Sequence, residues 1–126
     1  MKPILLPLCT ALALFSTAAE PAPVISTKDV VEICEVGFGL KGSAESSARK
    51  TTCIAYLDAV IATALQIGTL ASPDGKGRLF CLPDNIGYQD LAVGFIRFAK
   101  NNERYATRAA ASVVLAAFAD IYGCKQ

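Results

Sequence analysis

The sequence predicts an all-α protein: a compact, disulfide-stapled bundle of two helical hairpins, four to five helices in total. Three observations carry that expectation. Apolar residues recur at steps of three and four along most of the chain, and no stretch sustains the alternation of a strand. Clusters of Gly, Pro, Asn, Asp and Ser cut the periodic stretches into pieces of helical length. Cys34, Cys53, Cys81 and Cys124 sit at mirrored distances around two of those breaks.

The N-terminus reads as a secretory signal peptide over residues 1–19. Lys2 supplies the positive start, Ile4 to Phe15 the apolar core, and Ser16, Thr17, Ala18 and Ala19 the small residues of a cleavage site. The apolar run is short for a membrane span, so no stable membrane insertion is expected after cleavage. Leu6-Pro7-Leu8-Cys9 has the outline of a lipoprotein box, but apolar residues continue beyond Cys9, which is read as part of the signal. The remaining chain, residues 20–126, has the size of one domain. The full chain holds 12 basic and 11 acidic residues, and losing Lys2 balances them. A neutral exported domain gives no reason to expect nucleic acid as partner. Export to an oxidising compartment favours disulfides for the four remaining cysteines.

Each helix has its own signals. Glu20 to Ile25 holds two prolines and reads as a lead-in. Ser26-Thr27 offers a cap, with Asp29 in the first turn, and Val30, Ile33, Cys34 and Gly37 follow at helical spacing. Gly37, Gly39 and Gly42 close this first helix. Ser43 to Ser46 opens a second, longer one with the stripe Cys53, Tyr56, Leu57, Val60, Ile61, Ala64, Leu65 and Gly68. Ser72-Pro73-Asp74-Gly75-Lys76-Gly77 breaks it and is the clearest exposed loop. After the short apolar patch Leu79 to Leu82, Asp84 or Asn85 offers a cap for a third helix with Leu91, Phe95 and Phe98 inward. That helix stops near Asn101-Asn102. The last helix carries Ala106, Ala110, Val113, Val114, Ala117, Phe118 and Ile121, and Gly123 ends it.

Four cysteines allow three pairings. Cys34 and Cys53 are nearly equidistant from the Gly42-Ser43-Ala44 turn, and Cys81 and Cys124 from Asn102-Glu103. Equidistant positions of an antiparallel helix pair lie side by side, which favours Cys34–Cys53 and Cys81–Cys124. A zinc site wants close CxxC-type pairs, and none occurs. A nucleophilic cysteine wants a neighbouring base, usually histidine, and the chain contains no histidine. The expectation is therefore no catalytic residue, no metal and no cofactor.

Other polar residues are read mostly as solvated. Asp58 stands out because it lies in a mostly apolar helix, yet nothing brings a second carboxylate to it. Arg97, Lys100, Arg104 and Arg108 are spaced by three and four, but the Asn101-Asn102 break divides them. Lys100 suits a helix C-terminus, and the group suits an acidic partner surface. In the Leu70 to Phe80 loop, Asp74, Lys76 and Arg78 are the candidate partner-binding residues, on glycine-rich backbone that could project.

Several motifs also resemble a known family. Cys53-x-x-Tyr56-Leu57-x-x-Val60, then Cys81-Leu82-Pro83 leading to Ile86, Gln89 and Leu91, then Phe98 before Glu103-Arg104, and Leu115, Ala117 and Phe118 before Cys124 follow one another in order. This resembles the Rap/Tai type of immunity proteins of bacterial type VI secretion, from about Cys34 to Cys124. Where that family often has glycines the chain has Ala55 and Ala59, and where it commonly has proline the chain has Asn102 and Gly123. The resemblance implies a small, disulfide-bonded, non-enzymatic periplasmic protein. Such proteins bind and block a peptidoglycan-cleaving amidase effector with a cysteine nucleophile. Some are homodimers, and a protruding loop can occupy the enzyme's substrate groove. The rival reading is a small periplasmic stress or chaperone-like helical protein with no toxin partner. Without histidine, its acid trigger would have to be carboxylate protonation.

Overall fold

A computed structural model of the chain describes residues 24–42, 44–72 and 74–125, so the signal-peptide reading of residues 1–19 lies outside the described residues. The elements are α1 (Thr27–Gly37), α2 (Ser47–Ala71), α3 (Tyr88–Asn101), a 3-10 turn (Glu103–Tyr105) and α4 (Ala110–Ile121). Among the described residues the extended backbone amounts to a single bridge between Ser26 and Ala109. The fold is all-α. Its two most extensive helix contacts are α1 on α2 and α3 on α4, the two expected hairpins, and α1 also packs on α3.

The start of α1 shows how the two hairpins are joined. A helix begins with backbone N–H groups that have no partner within it. Here Thr27 N–H donates to the Arg108 carbonyl at 2.9 Å and Lys28 N–H to the Ala106 carbonyl at 3.0 Å. Ser26 is the N-cap, its Oγ accepting from Asp29 N–H and donating to the Asp29 carboxylate. The buried Thr27 hydroxyl donates to the same Arg108 carbonyl at 2.9 Å. The first turn of α1 is thus completed by backbone that precedes α4.

That capping also corrects the expected start of the last helix. It begins at Ala110 rather than near Ala106. The chain from Asn102 to Ala109 first makes the 3-10 turn. It then presents the Ala106 and Arg108 carbonyls to α1, while Ala110 N–H bonds to the Ile25 carbonyl. The cap of α3 differs too: it is Gly87, with no side-chain bond, and not Asp84 or Asn85. The chain turns once at Pro83–Ile86 before the helix starts, which leaves those two residues outside it.

Within the first hairpin, Cys34 and Cys53 are both 0% exposed and joined with Cα atoms 5.1 Å apart. One turn farther, Gly37 lies against α2 so closely that a Cβ there would stand 2.6 Å from the Lys50 backbone nitrogen. Glycine is what lets the two backbones meet. Phe38 closes α1 by donating its N–H to the Cys34 carbonyl, and Gly39 and Gly42 take positive φ in the turn that follows. In the second hairpin, Leu91, Ala92, Phe95, Ile96 and Ala99 of α3 face Val113, Val114, Ala117 and Phe118 of α4 across the core. Phe98 is only half-buried and stacks on Tyr105, ring centroids 6.3 Å apart. Ile121 at the end of α4 and Leu65 in the second half of α2, both expected inward, are exposed.

Glu35 is the one acidic side chain of α1 taken into the core region, at 3% exposure. Its carboxylate accepts from the ammonium of Lys41 at 3.1 Å and from that of Lys100 at the end of α3. Burial pushes its pKa up, but the two lysines outweigh burial and hold the carboxyl below the usual range. Lys100, expected as a compensating charge at a helix terminus, is in the last turn of α3 and spends its charge on this clasp.

Candidate partner-binding site

α1 has 11 residues and α2 has 25, so the second half of α2 outruns its partner. Only Cys53, Leu57, Ile61 and Gly68 of α2 are buried, which leaves Leu65, Ile67 and Leu70 exposed. By length and composition alone α2 could cross a membrane, with a mean hydropathy of 1.6 over its most apolar window. It also carries the buried disulfide and packs on α1 and α4, as a core helix does. The apolar excess is concentrated at the end that leads into the candidate loop.

That loop is a built turn. Ser72 N–H bonds to the Gly68 carbonyl, Gly75 N–H to the Ser72 carbonyl at 3.0 Å, and Arg78 N–H to the Gly75 carbonyl. Asp74 Oδ1 accepts from the Ser72 hydroxyl at 2.5 Å and from Lys76 N–H at 3.0 Å. The hydroxyl first, and then the backbone N–H, hold the Asp74 carboxyl below its usual range. Gly75 sits at φ 78°, a left-handed conformation that side chains disfavour. A Cβ on Gly77 would lie 2.6 Å from Ser72 Cβ, so the turn closes on itself only with glycine there. Gly77 and Arg78 then cover the buried Gly68.

The far end of the loop is pinned to α4. Phe80 is buried and meets Phe118 edge to face at 5.8 Å. Cys81 N–H donates to the Tyr122 carbonyl at 2.8 Å, and Cys81 is joined to Cys124 with Cα atoms 4.9 Å apart. An open cleft of about 930 Å³ results, bounded by Lys76, Arg78 and Leu79 on one side and Gly123, Cys124 and Lys125 on the other.

The structure therefore divides the three candidate residues. Asp74 spends its carboxylate ordering the turn. Lys76 and Arg78 are exposed and take part in no ion pair among the described residues. Lys125, not anticipated from the sequence, joins them at the cleft because the disulfide brings the C-terminal segment there. Ile67, Leu70 and Leu79 were missed as surface residues; their signal is that Ile67 and Leu70 fall off the apolar stripe of α2.

The other polar residues do not gather into a second site. Asp58 is exposed and accepts from the Tyr88 hydroxyl at 2.7 Å, a tie from α2 to the start of α3. Arg97 borders a cleft with Asp90 and Asp120, and Arg104 lies over the Tyr105 ring at 4.8 Å. Arg108 gives its carbonyl to α1. With Lys100 committed to Glu35, the basic residues do not form one stripe. Among the described residues no group of three His, Cys, Asp or Glu side chains could hold a metal ion.

Comparison with known proteins gives one match. The family model described as Rap1a immunity proteins matches residues 26–124. No curated protein and no solved structure matches the chain.

Proposed function

The chain belongs to the family of Rap1a immunity proteins, and from that premise we propose that it neutralises a peptidoglycan-cleaving amidase effector of type VI secretion by sterically blocking it in the periplasm. Membership gives the coarse part: an immunity role toward a cognate effector, in a family that is generally non-enzymatic. The two disulfides are consistent with a place outside the cytoplasm, and the signal-peptide reading of residues 1–19 specifies export.

One observation carries the choice of surface. The Asp74–Phe80 segment is ordered by the bonds of Asp74 to Ser72 and to Lys76 N–H and by its tight glycines, while Lys76 and Arg78 take part in no ion pair among the described residues and line the cleft with exposed Leu79. A preorganised projection carrying cations and apolar side chains loses little freedom on binding. It suits a groove with acidic rims and an apolar floor. A cell-wall hydrolase would be blocked when that groove is filled. The binding residues are Lys76 and Arg78, with Asp74 as the brace that holds them.

A homodimer belongs to the same reading. The shallow groove of Tyr56, Val60, Ala64 and Ile67 on α2 with Leu115 on α4 carries no charge and would accept the same face of a second copy. Sedimentation velocity across a concentration series tests it, and a mass that stays monomeric removes it.

The functional test is protection. Cells exporting a candidate amidase should lyse alone and survive when this chain is exported with it. Lysis that continues despite confirmed export of the folded chain rejects the reading.

A further inference from the structure

We propose that the Cys81–Cys124 disulfide is a reducible clasp that ties the C-terminal wall of the cleft, residues 121–125, to the base of the Asp74–Phe80 segment, whereas Cys34–Cys53 is a permanent bond of the core. The two bonds sit in opposite surroundings. Cys34 and Cys53 are 0% exposed, inside the α1–α2 contact. Cys81 is exposed, Cys124 is half-exposed, and both line the open cleft of about 930 Å³ beside Lys76, Arg78 and Lys125. A thiol reagent can enter that cleft without any part of the fold opening. Reaching Cys34–Cys53 requires α1 to part from α2, a fluctuation close to global unfolding. Lys76, Arg78 and Lys125 outnumber the Asp74 carboxylate around the cleft, a balance that favours approach of an anionic thiolate and stabilises the thiolate it expels.

The chemistry is ordinary exchange. A thiolate of an external thiol or dithiol reductant attacks one cysteine sulfur and expels the other cysteine as thiolate. A second reductant thiol resolves the mixed disulfide. Two electrons pass to the protein sulfurs, two protons follow, and the reductant leaves as its own disulfide.

What the clasp holds is specific. On the far side of the loop the ties are buried Phe80 on Phe118, the Cys81 N–H to Tyr122 bond, and the disulfide. Opening the disulfide leaves the aromatic anchor in place and frees the 123–125 segment, one wall of the cleft, from the other. The core persists because its own disulfide is untouched. Reduction would then part Lys125 from Lys76 and Arg78 across the cleft and weaken effector capture; that last link rests on the function proposed above.

The test needs no effector, so its failure is distinguishable from failure of that reading. The folded, oxidised chain is exposed to dithiothreitol without denaturant, and samples are alkylated and mapped by mass spectrometry over time. Cys81 and Cys124 should become alkylated at least about tenfold faster than Cys34 and Cys53. Hydrogen exchange on the selectively reduced protein should rise over residues 81–82 and 121–125 and stay unchanged over 30–61. Joint reduction of all four cysteines, or earlier reduction of Cys34–Cys53, overturns the proposal. Selective reduction with unchanged exchange at 121–125 overturns it equally. The Cys81→Ser/Cys124→Ser variant should show the raised exchange with no reductant present. A variant that exchanges like the wild type there also contradicts the clasp.

Discussion

Replacing Glu35 with glutamine removes the charge that two lysines share and keeps the shape. The oxygen of the amide can still accept from one lysine, but not with a full negative charge, and its NH2 group faces the other ammonium. Hydrogen bonds to charged groups contribute about 1.5–3 kcal/mol each when the partners are enclosed. Here the carboxylate is 3% exposed but its lysine partners are 57% and 55% exposed, so solvent screens the ammonium ends and both lysines can return to water. The expected loss is therefore about 2 kcal/mol, below the sum of two enclosed bonds because of that screening. The sign of its pH dependence follows from the direction of the shift. The folded-state pKa of Glu35 lies below its unfolded value. Its contribution is thus fully present above the unfolded pKa and is lost as pH falls through the lower, folded one. Urea unfolding of wild type and Glu35→Gln should differ by about 2 kcal/mol near neutral pH, and the gap should close as the wild-type carboxylate protonates in acid. A gap under about 0.5 kcal/mol at neutral pH, or one that stays constant into acid, would refute the clasp as described.

Three further outcomes follow from the same structure. Gly37→Ala places a Cβ 2.6 Å from the Lys50 backbone nitrogen, so α1 and α2 must move apart; a loss of about 1–3 kcal/mol in urea unfolding is expected, against a few tenths if the helices slide freely. Removing the Cys34–Cys53 bond, which closes 19 residues, by the double Cys34→Ala/Cys53→Ala change should cost about 3 kcal/mol and lower the Tm with retained helical circular dichroism. Reversing charge with Lys76→Glu/Arg78→Glu should leave stability within about 0.5 kcal/mol, since both side chains are exposed, while weakening effector binding at least about tenfold in titration calorimetry.

How much of this was legible in the sequence depends on how local each cause is. The inward faces of α1, α3 and α4 follow from apolar steps of three and four over most of their length, failing at Ile121 and in part at Phe98 near the helix ends. The α2 stripe holds through Ile61, fails at Leu65 and resumes at Gly68 where the loop folds back over it; periodicity does not tell that α1 ends after 11 residues. The start of α4 was hidden for a related reason. The Ala106 and Arg108 carbonyls are claimed by Thr27 and Lys28, about eighty residues away in sequence, and no local pattern around Ala106 reports that. The cysteine pairs in the structure are those that hairpin symmetry favours, because antiparallel helices turn equal sequence distance into spatial proximity.

For the candidate site, the glycine-rich break marked the loop, and the sequence placed Asp74, Lys76 and Arg78 on it together. Their division of labour was not legible: only the geometry shows the Asp74 carboxylate turned back to Ser72 and Lys76 N–H while the two cations face solvent. Lys125 lies far along the chain and reaches the cleft only through Cys81–Cys124. The buried Glu35 clasp was likewise invisible, since one glutamate among scattered carboxylates carries no mark of burial until α3 is packed over it.

Titrating a purified peptidoglycan amidase effector with this protein, and following cleavage of isolated peptidoglycan, tests the central claim most directly. The account predicts that activity falls linearly to zero at a fixed stoichiometric ratio, and that Lys76→Glu/Arg78→Glu protein of unchanged stability needs far higher concentration to reach the same point. Full amidase activity at saturating, correctly folded protein, across a panel of such effectors, would contradict it.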